Sequence, residues 1–173
     1  MEEVILVTEQ DEPIGNMEKM EAHRKGVLHR AFSIFIVNDR NEMLLQQRAK
    51  TKYHSGGLWT NACCSHPRPH EKTESAAVRR LQEELGFTAH LTKIFDFYYN
   101  AAFDNGLTEH EFDHVYAGTY NGKIIPNPYE VQDYCFKKME EIQSTIQSHP
   151  HKYTAWFCIA FPKVMLWLQN KKV

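Results

Sequence analysis

Thr60-Asn61-Ala62-Cys63-Cys64-Ser65-His66-Pro67, followed after a short spacer by Thr73-Glu74-Ser75-Ala76-Ala77-Val78-Arg79-Arg80-Leu81-Gln82-Glu83-Glu84-Leu85-Gly86-Phe87, is the stretch on which the chain's architecture turns. In its second half Val78, Leu81 and Leu85 recur at i, i+3 and i+7, the spacing of one apolar helix face. Thr73 is placed to cap this helix, Glu74 suits its first turn, and Gly86 stands as a left-handed stop. Glu84 falls at the edge of the apolar stripe, Glu83 points the opposite way, and Arg80 precedes Glu84 by one turn. A carboxylate at a core boundary is partly desolvated and needs a cation, either Arg80 or a metal ion. Taken alone the pair reads as a helix ion pair worth a few tenths of a kcal/mol.

Outward from this helix, the chain alternates strand and turn signals. Val4–Val7 is a short apolar run closed by Gln10-Asp11-Glu12-Pro13, and Phe32–Val37 is a strand rich in Ile, Phe and Val. Asn38-Asp39-Arg40-Asn41 predicts a turn into Met43–Gln47, which makes the two strands a hairpin. Strands are predicted at Leu91–Tyr99 and Thr108–Tyr120 around Asp104-Asn105-Gly106, and another at Glu130–Phe136. Helices are predicted at Met139–Gln147 and Ala160–Asn170. No repeat or linker interrupts residues 1–173, so the expectation is one α+β domain with helices covering a mixed sheet.

Composition is that of an ordinary globular chain, with 42% hydrophobic and 24% charged residues. At 20.3 kDa, surface scaling predicts about 8,800 Å² of accessible surface for the folded chain. Twenty Lys and Arg against 22 Asp and Glu argue against a nucleic-acid-binding face. Tyr153–Leu168 is the most apolar stretch, but Pro162 and Lys163 interrupt it short of a membrane span. Met1-Glu2-Glu3 lacks the basic and apolar regions of an export signal, so the four cysteines are expected as thiols and the protein as cytoplasmic.

Glu109-His110-Glu111 lies in a strand-like run, where a period of two sends both carboxylates to one face, about 7 Å apart. Two like charges there repel unless a cation binds between them or one is protonated. His23, His29 and His66 join Glu109 and Glu111 as an N₃O₂ donor set, suited to Zn²⁺, Mn²⁺ or Fe²⁺ rather than Ca²⁺. His54, His70, His90, His149 and His151 are read as ordinary surface or core histidines. Cys63-Cys64 is too close in sequence for a relaxed disulfide, so at most one of the two is expected to be functional.

Taken together, these pieces resemble one family. Ser65-x5-Glu71-x7-Arg79-Arg80-Leu81-Gln82-Glu83-Glu84-x-Gly86-Phe87 resembles a degenerate Nudix box with Arg80 in place of the first catalytic-helix Glu. Thr60–Pro67 is similar to the cysteine motif of the type 1 isopentenyl diphosphate isomerases, and the likeness extends from His23 to Trp156. The resemblance implies a Nudix-like mixed β-sheet sandwiched between helices. It implies Cys64 and Glu111 as catalytic groups, with Tyr99 and Trp156 as active-site aromatics. His23, His29, His66, Glu109 and Glu111 would hold one Mn²⁺, Zn²⁺ or Mg²⁺, and Glu84 a Mg²⁺ that arrives with the diphosphate. Lys19, Arg48, Lys52 and Arg80 would surround that diphosphate. The implied partner is a small isoprenoid diphosphate, with neither nucleic acid nor membrane, acted on by a monomer or weak homodimer. The alternatives are a Nudix pyrophosphatase, which would explain Glu83-Glu84 but not the Cys64 loop, and an inactive metal-binding module on the same scaffold.

Overall fold

A computed structural model describes residues 1–171. In chain order the elements are β1 (Glu3–Val7), β2 (Pro13–Glu18), α1 (Lys19–Lys25), β3 (His29–Val37), β4 (Glu42–Arg48), β5 (Trp59–Thr60), β6 (Cys63–Ser65), α2 (Thr73–Leu85), β7 (Thr92–Ala102), β8 (Thr108–Thr119), β9 (Val131–Lys138), α3 (Met139–Ser148) and α4 (Ala155–Asn170). The accessible surface is 8822 Å², in line with the scaling expectation.

β3 organises the molecule. It runs parallel to β8 from His29↔Glu111 to Val37↔Thr119, and over Phe32–Ile34 its other edge pairs antiparallel with β6. Its side chains alternate between two cores. Phe32, Ile34 and Ile36 pack with Leu81 and Leu85 of α2, while Phe35 and Val37 pack with Trp156, Phe157 and Phe161 of α4. A strand buried on both faces needs a near-continuous apolar sequence, which is why Ala31–Val37 reads as it does. The result is a mixed sheet with α2 on one face and α3 and α4 on the other.

The α2 helix has the predicted bounds, and Gly86 takes a φ of 74° as its stop. Thr73 is not the cap: it is the first helical residue, and Lys72 stands before it without a side-chain cap bond. β7 and β8 form the predicted antiparallel pair, with Gly106 at φ 81° in the turn. The hairpin expected of β3 and β4 forms at its turn, where Asn38 N donates to Glu42 O, but does not extend. Only Val37↔Met43 pairs, because β3 has its two edges filled by β6 and β8, and β4 instead ladders with β9 from Glu42↔Lys138 to Arg48↔Val131. The last helix starts at Ala155 rather than Ala160 and carries Pro162 inside it. α1 has no counterpart in the sequence reading. It is seven residues long, capped by Glu18, whose carboxylate accepts from the Met20 and Glu21 amides, and it ends at Gly26 with φ 64°.

Candidate active site

The cysteine loop is pinned before it is aimed. Asn61 Nδ2 donates to Ile34 O at 3.1 Å and Cys63 O at 2.8 Å, and Thr60 Oγ1 bonds the Asn61 Oδ1 at 2.8 Å. Alternation along β6 then parts the two thiols. Cys63 packs in the α2 core and Cys64 against the α4 side. Cys64 lines a cavity with Lys19, Arg48, Lys52, Ser65, His66, Arg80, Glu109, Glu111 and Trp156, together with Glu2, Tyr53 and Glu130. Burial pushes the Cys64 thiol up to about 12, with Arg48 working against it. The thiol is therefore neutral.

Three neighbouring strands build the second wall. His29 of β3 stands across from Glu111 of β8, and Tyr99 of β7 stands across from Glu111 on the far side. Tyr99 Oη lies 2.7 Å from a Glu109 oxygen and 2.7 Å from a Glu111 oxygen, with one proton to donate between them, which places both carboxylates on one face. Burial and the nearby carboxylates hold the Tyr99 hydroxyl well above its usual range, so it stays protonated. Burial pushes Glu111 up too, but the His29 and His66 imidazoles outweigh it and hold the carboxyl well below its ordinary value. His66 Nε2 lies 2.8 Å from Glu111 Oε1.

The donors of His23, His29, His66 and Glu111 lie within 4.8 Å of one another, all buried, and those of His23, His54 and Glu109 form a second such set. These residues fit a divalent metal ion. The His23 and His29 Nδ1 atoms are engaged by Lys19 O at 2.7 Å and Val27 O at 2.8 Å, while both Nε2 atoms are buried without a partner. A ring whose Nδ1–H is so occupied offers Nε2 as a lone pair. Burial brings His23 down to about 3, so its ring is neutral, as a ligand must be.

At the cavity mouth the four expected cations are present, and three of them already have carboxylates. Lys19 pairs with Glu2 at 2.5 Å, Lys52 with Glu130, and Arg80 with Glu84 at 2.6 Å and Glu130 at 3.1 Å. Arg48 has no carboxylate partner among the described residues. Its Nη2 donates to His54 O at 3.2 Å, and its guanidinium carbon lies 5.2 Å from the Trp156 ring centroid. Glu84 sits behind the wall rather than in it, with its second oxygen held by Gln46 Nε2 at 2.9 Å. Tyr99, His23 and His29 likewise support the wall from behind.

Sequence reasoning missed several residues. His54, read as an ordinary histidine, is buried in the metal-ligand cluster and lies 2.8 Å from Glu109. Glu130, Tyr53 and Gln46 were not singled out either. Asp113 continues the Glu109–Glu111 alternation on the same face, which is a signal that was there to be read. It is buried, accepts from Ser33 Oγ at 2.7 Å, and burial raises its carboxyl well above the usual range, with Glu111 adding to the effect.

Residues 27–157 match the family model described as NUDIX domain. An isopentenyl-diphosphate Delta-isomerase of Pectobacterium atrosepticum is 51% identical over 162 residues, covering 94% of this chain and 90% of that protein. A protein of the same name from Serratia proteamaculans is 48% identical, covering 90% and 87%. Among solved structures, DR0079 from Deinococcus radiodurans superposes with a TM-score of 0.79 at 19% identity, covering 94% of this chain and 98% of that one. A MutT NUDIX hydrolase from Burkholderia pseudomallei gives 0.64 at 21% identity, covering 79% and 98%. At those identities the two structures speak for the fold alone.

Proposed function

This chain belongs to the isopentenyl-diphosphate Delta-isomerases built on a NUDIX domain, and from that premise we infer how its side chains divide the movement of a double bond. It is an isomerase that interconverts isopentenyl and dimethylallyl diphosphate. An unactivated alkene yields only to protonation, which leaves a tertiary carbocation, and loss of a neighbouring proton completes the shift. Such a reaction needs one protonated and one ionised group in the same dry pocket.

The observation that carries the assignment is that Cys64 and Glu111 line one cavity from opposite edges of β3, in environments that drive them apart. Cys64 is a neutral thiol held up to about 12, and Glu111 is a carboxylate held well below its usual range. They come from β6 and β8, on the two edges of β3. Pairs of titratable groups pushed in opposite directions mark acid and base. In the isopentenyl direction Cys64 gives its proton to the terminal carbon and Glu111 takes one from the carbon nearer the diphosphate, on the opposite face of the alkene. Arg48, which opposes the burial of the thiol, steadies the thiolate that remains. Trp156 turns its indole toward the cation, and Tyr99 keeps Glu111 in position through its hydroxyl.

His23, His29, His66, Glu109 and Glu111 are the residues that would hold the resident divalent ion, Mn²⁺, Zn²⁺ or Mg²⁺. When bound, such an ion supplies fixed positive charge beside Glu111. Lys19, Arg48, Lys52 and Arg80 would bind the diphosphate, and Glu84, whose oxygens are held by Arg80 and Gln46 behind the wall, would be the carboxylate for the Mg²⁺ that accompanies it. A tight polar grip on the diphosphate keeps the allylic product from ionising. Residues 1–173 act as one Nudix-like isomerase domain, since β1 pairs with β3, and α4 extends the core beyond residue 157. We place the protein in the cytoplasm as a monomer or weak homodimer acting on a small diphosphate. No helix among the described residues is long and apolar enough to cross a membrane.

The pyrophosphatase reading is not favoured, because Arg80 stands where a hydrolase would gather another carboxylate for Mg²⁺. Incubation with isopentenyl diphosphate and Mg²⁺ in D₂O tests the assignment. The expected result is an equilibrating isomer mixture that takes up deuterium and releases negligible phosphate. Steady phosphate release without deuterium uptake would reverse it.

A further inference from the structure

His23, His54 and Glu109 form a buried donor set that shares His23 with the metal cluster described above. The donors of the two sets do not all lie within 4.8 Å of one another, but the sets meet at His23. With Nδ1 occupied by Lys19 O at 2.7 Å, His23 has one free lone pair, on Nε2, and one lone pair serves one ion. Two full sites cannot both draw on it. We propose that the two sets are one six-donor centre in which His54 is a metal ligand, joining His23, His29, His66, Glu109 and Glu111. The inference rests on the reading of the His/Glu cluster as a metal site.

Three observations support it. His54 Nε2 is buried like those of His23 and His29, and its Nδ1 lies 3.2 Å from Ser55 Oγ, a hydroxyl that can accept from Nδ1–H and so leave Nε2 as a lone pair. That Nε2 is 2.8 Å from Glu109 Oε1, yet the contact lacks hydrogen-bond geometry and leaves the nitrogen without a partner. Two donors that approach without bonding to each other are what neighbouring ligands of one ion look like. At bond lengths of about 2.1 Å they sit about 3 Å apart. Finally, the ring is fixed on several sides, stacked on Phe103 at 4.7 Å and edge-on to Tyr53 at 4.4 Å. Its direction into the cluster is set by packing and not by solvent.

A centre with four imidazoles and two carboxylates prefers a borderline divalent ion of six-coordinate habit. Six protein donors would fill the sphere of such an ion, whose charge would sit beside Glu111.

Cobalt is the probe. Protein stripped by dialysis against a chelator and refilled with Co²⁺ should take up one ion per chain and show the weak visible absorption of a six-coordinate site. His54→Phe keeps the aromatic packing and removes the lone pair. It should bind Co²⁺ at least ten-fold more weakly in competition with a chromogenic chelator, with stronger absorption as the site falls to five donors. Unchanged affinity and spectrum in His54→Phe would overturn the proposal while leaving the five-ligand site intact. A second measurement needs no variant: proton NMR of the Co²⁺ wild type should show four strongly shifted exchangeable imidazole N–H signals, and three would overturn the proposal. Wild type that takes up no Co²⁺ would remove the metal reading altogether, and this inference with it.

Discussion

The two ends of the cavity are built on opposite principles. At the metal wall the side chains are buried, with backbone carbonyls on His23 and His29, a phenol hydroxyl between Glu109 and Glu111, and the imidazoles of His54 and His66 each 2.8 Å from one of those carboxylates. At the mouth, charge meets charge, with Lys19 on Glu2, Lys52 on Glu130, and Arg80 on Glu84 and Glu130. The wall is finished before substrate arrives, as sites that must place protons require. The mouth is balanced against itself. An incoming diphosphate takes over cations that carboxylates have been holding in place. Substitutions at the wall should therefore act on the chemical step, and those at the mouth on binding.

Cys64→Ala gives the largest expected effect, because loss of an acid/base group costs about 10²–10⁴ in rate. Cys63→Ala, on the other face of β6, should keep most activity. Rates of isomer formation for both variants, with circular dichroism to show that they fold, check the parity of the strand. If Cys63 proved essential, the division of the two thiols between cores would be wrong. The same thiol sets the alkaline behaviour. It stays protonated until pH approaches about 12, so kcat should hold steady from pH 7 to 9 instead of falling as an ordinary thiol of pKa 9.0 ionises. A loss of kcat centred near pH 9 would contradict the burial argument.

Trp156 comes next. A ring face over a desolvated cation is worth about 2 kcal/mol or more, which at 1.36 kcal/mol per tenfold is roughly 30-fold in rate. Trp156→Leu should fall by that factor, and Trp156→Phe by less. Because Arg48 already lies over this ring, affinity for a tertiary-ammonium diphosphate analogue is the discriminating measurement. If both variants bound the analogue like wild type, the indole would be only a wall.

Smaller effects belong to the mouth. Arg80→Ala should raise KM about ten-fold or more, the loss of a hydrogen bond to a charged group, with kcat changed less. Equal changes in both would place Arg80 with the wall. The smallest change is also the sharpest test of a self-balanced mouth. Glu130→Gln removes the carboxylate that holds both Lys52 and Arg80, so KM should fall two- to three-fold rather than rise. An increase would show that Glu130 positions those cations and does not compete for them.

What the sequence disclosed follows from how far each signal reaches. The α2 helix was legible because its stripe and its glycine stop are local, and Glu109 and Glu111 because parity along one strand needs no partner. α4 was begun five residues late because Pro162 looks like a boundary. In the folded chain the apolar first turns of that helix pack into the core, enough to carry a proline within it. The β3–β4 hairpin is shorter than expected for a related reason: its turn can be read locally, but competition from β6, β8 and β9 for the same strand edges cannot. His54 escaped for the same reason. It lies in the loop between β4 and β5 and meets Glu109 only through tertiary packing.

β6 behaves like a reading frame. Cys64 and His66 lie two positions apart and both reach the cavity, whereas Cys63 is turned into the α2 core. The doublet offers a partial safeguard against a slip of one residue along β3 in one direction, since Cys63 would then take the place of Cys64. It would not rescue the partner, because Ser65 would stand where His66 had been, and the opposite slip would present Ser65 and Pro67 in place of the thiol and the imidazole. Insertions and deletions should therefore be tolerated in the loop after Pro67 and excluded between Asn61 and His66, where a change of a single residue trades one functional side chain for the loss of another.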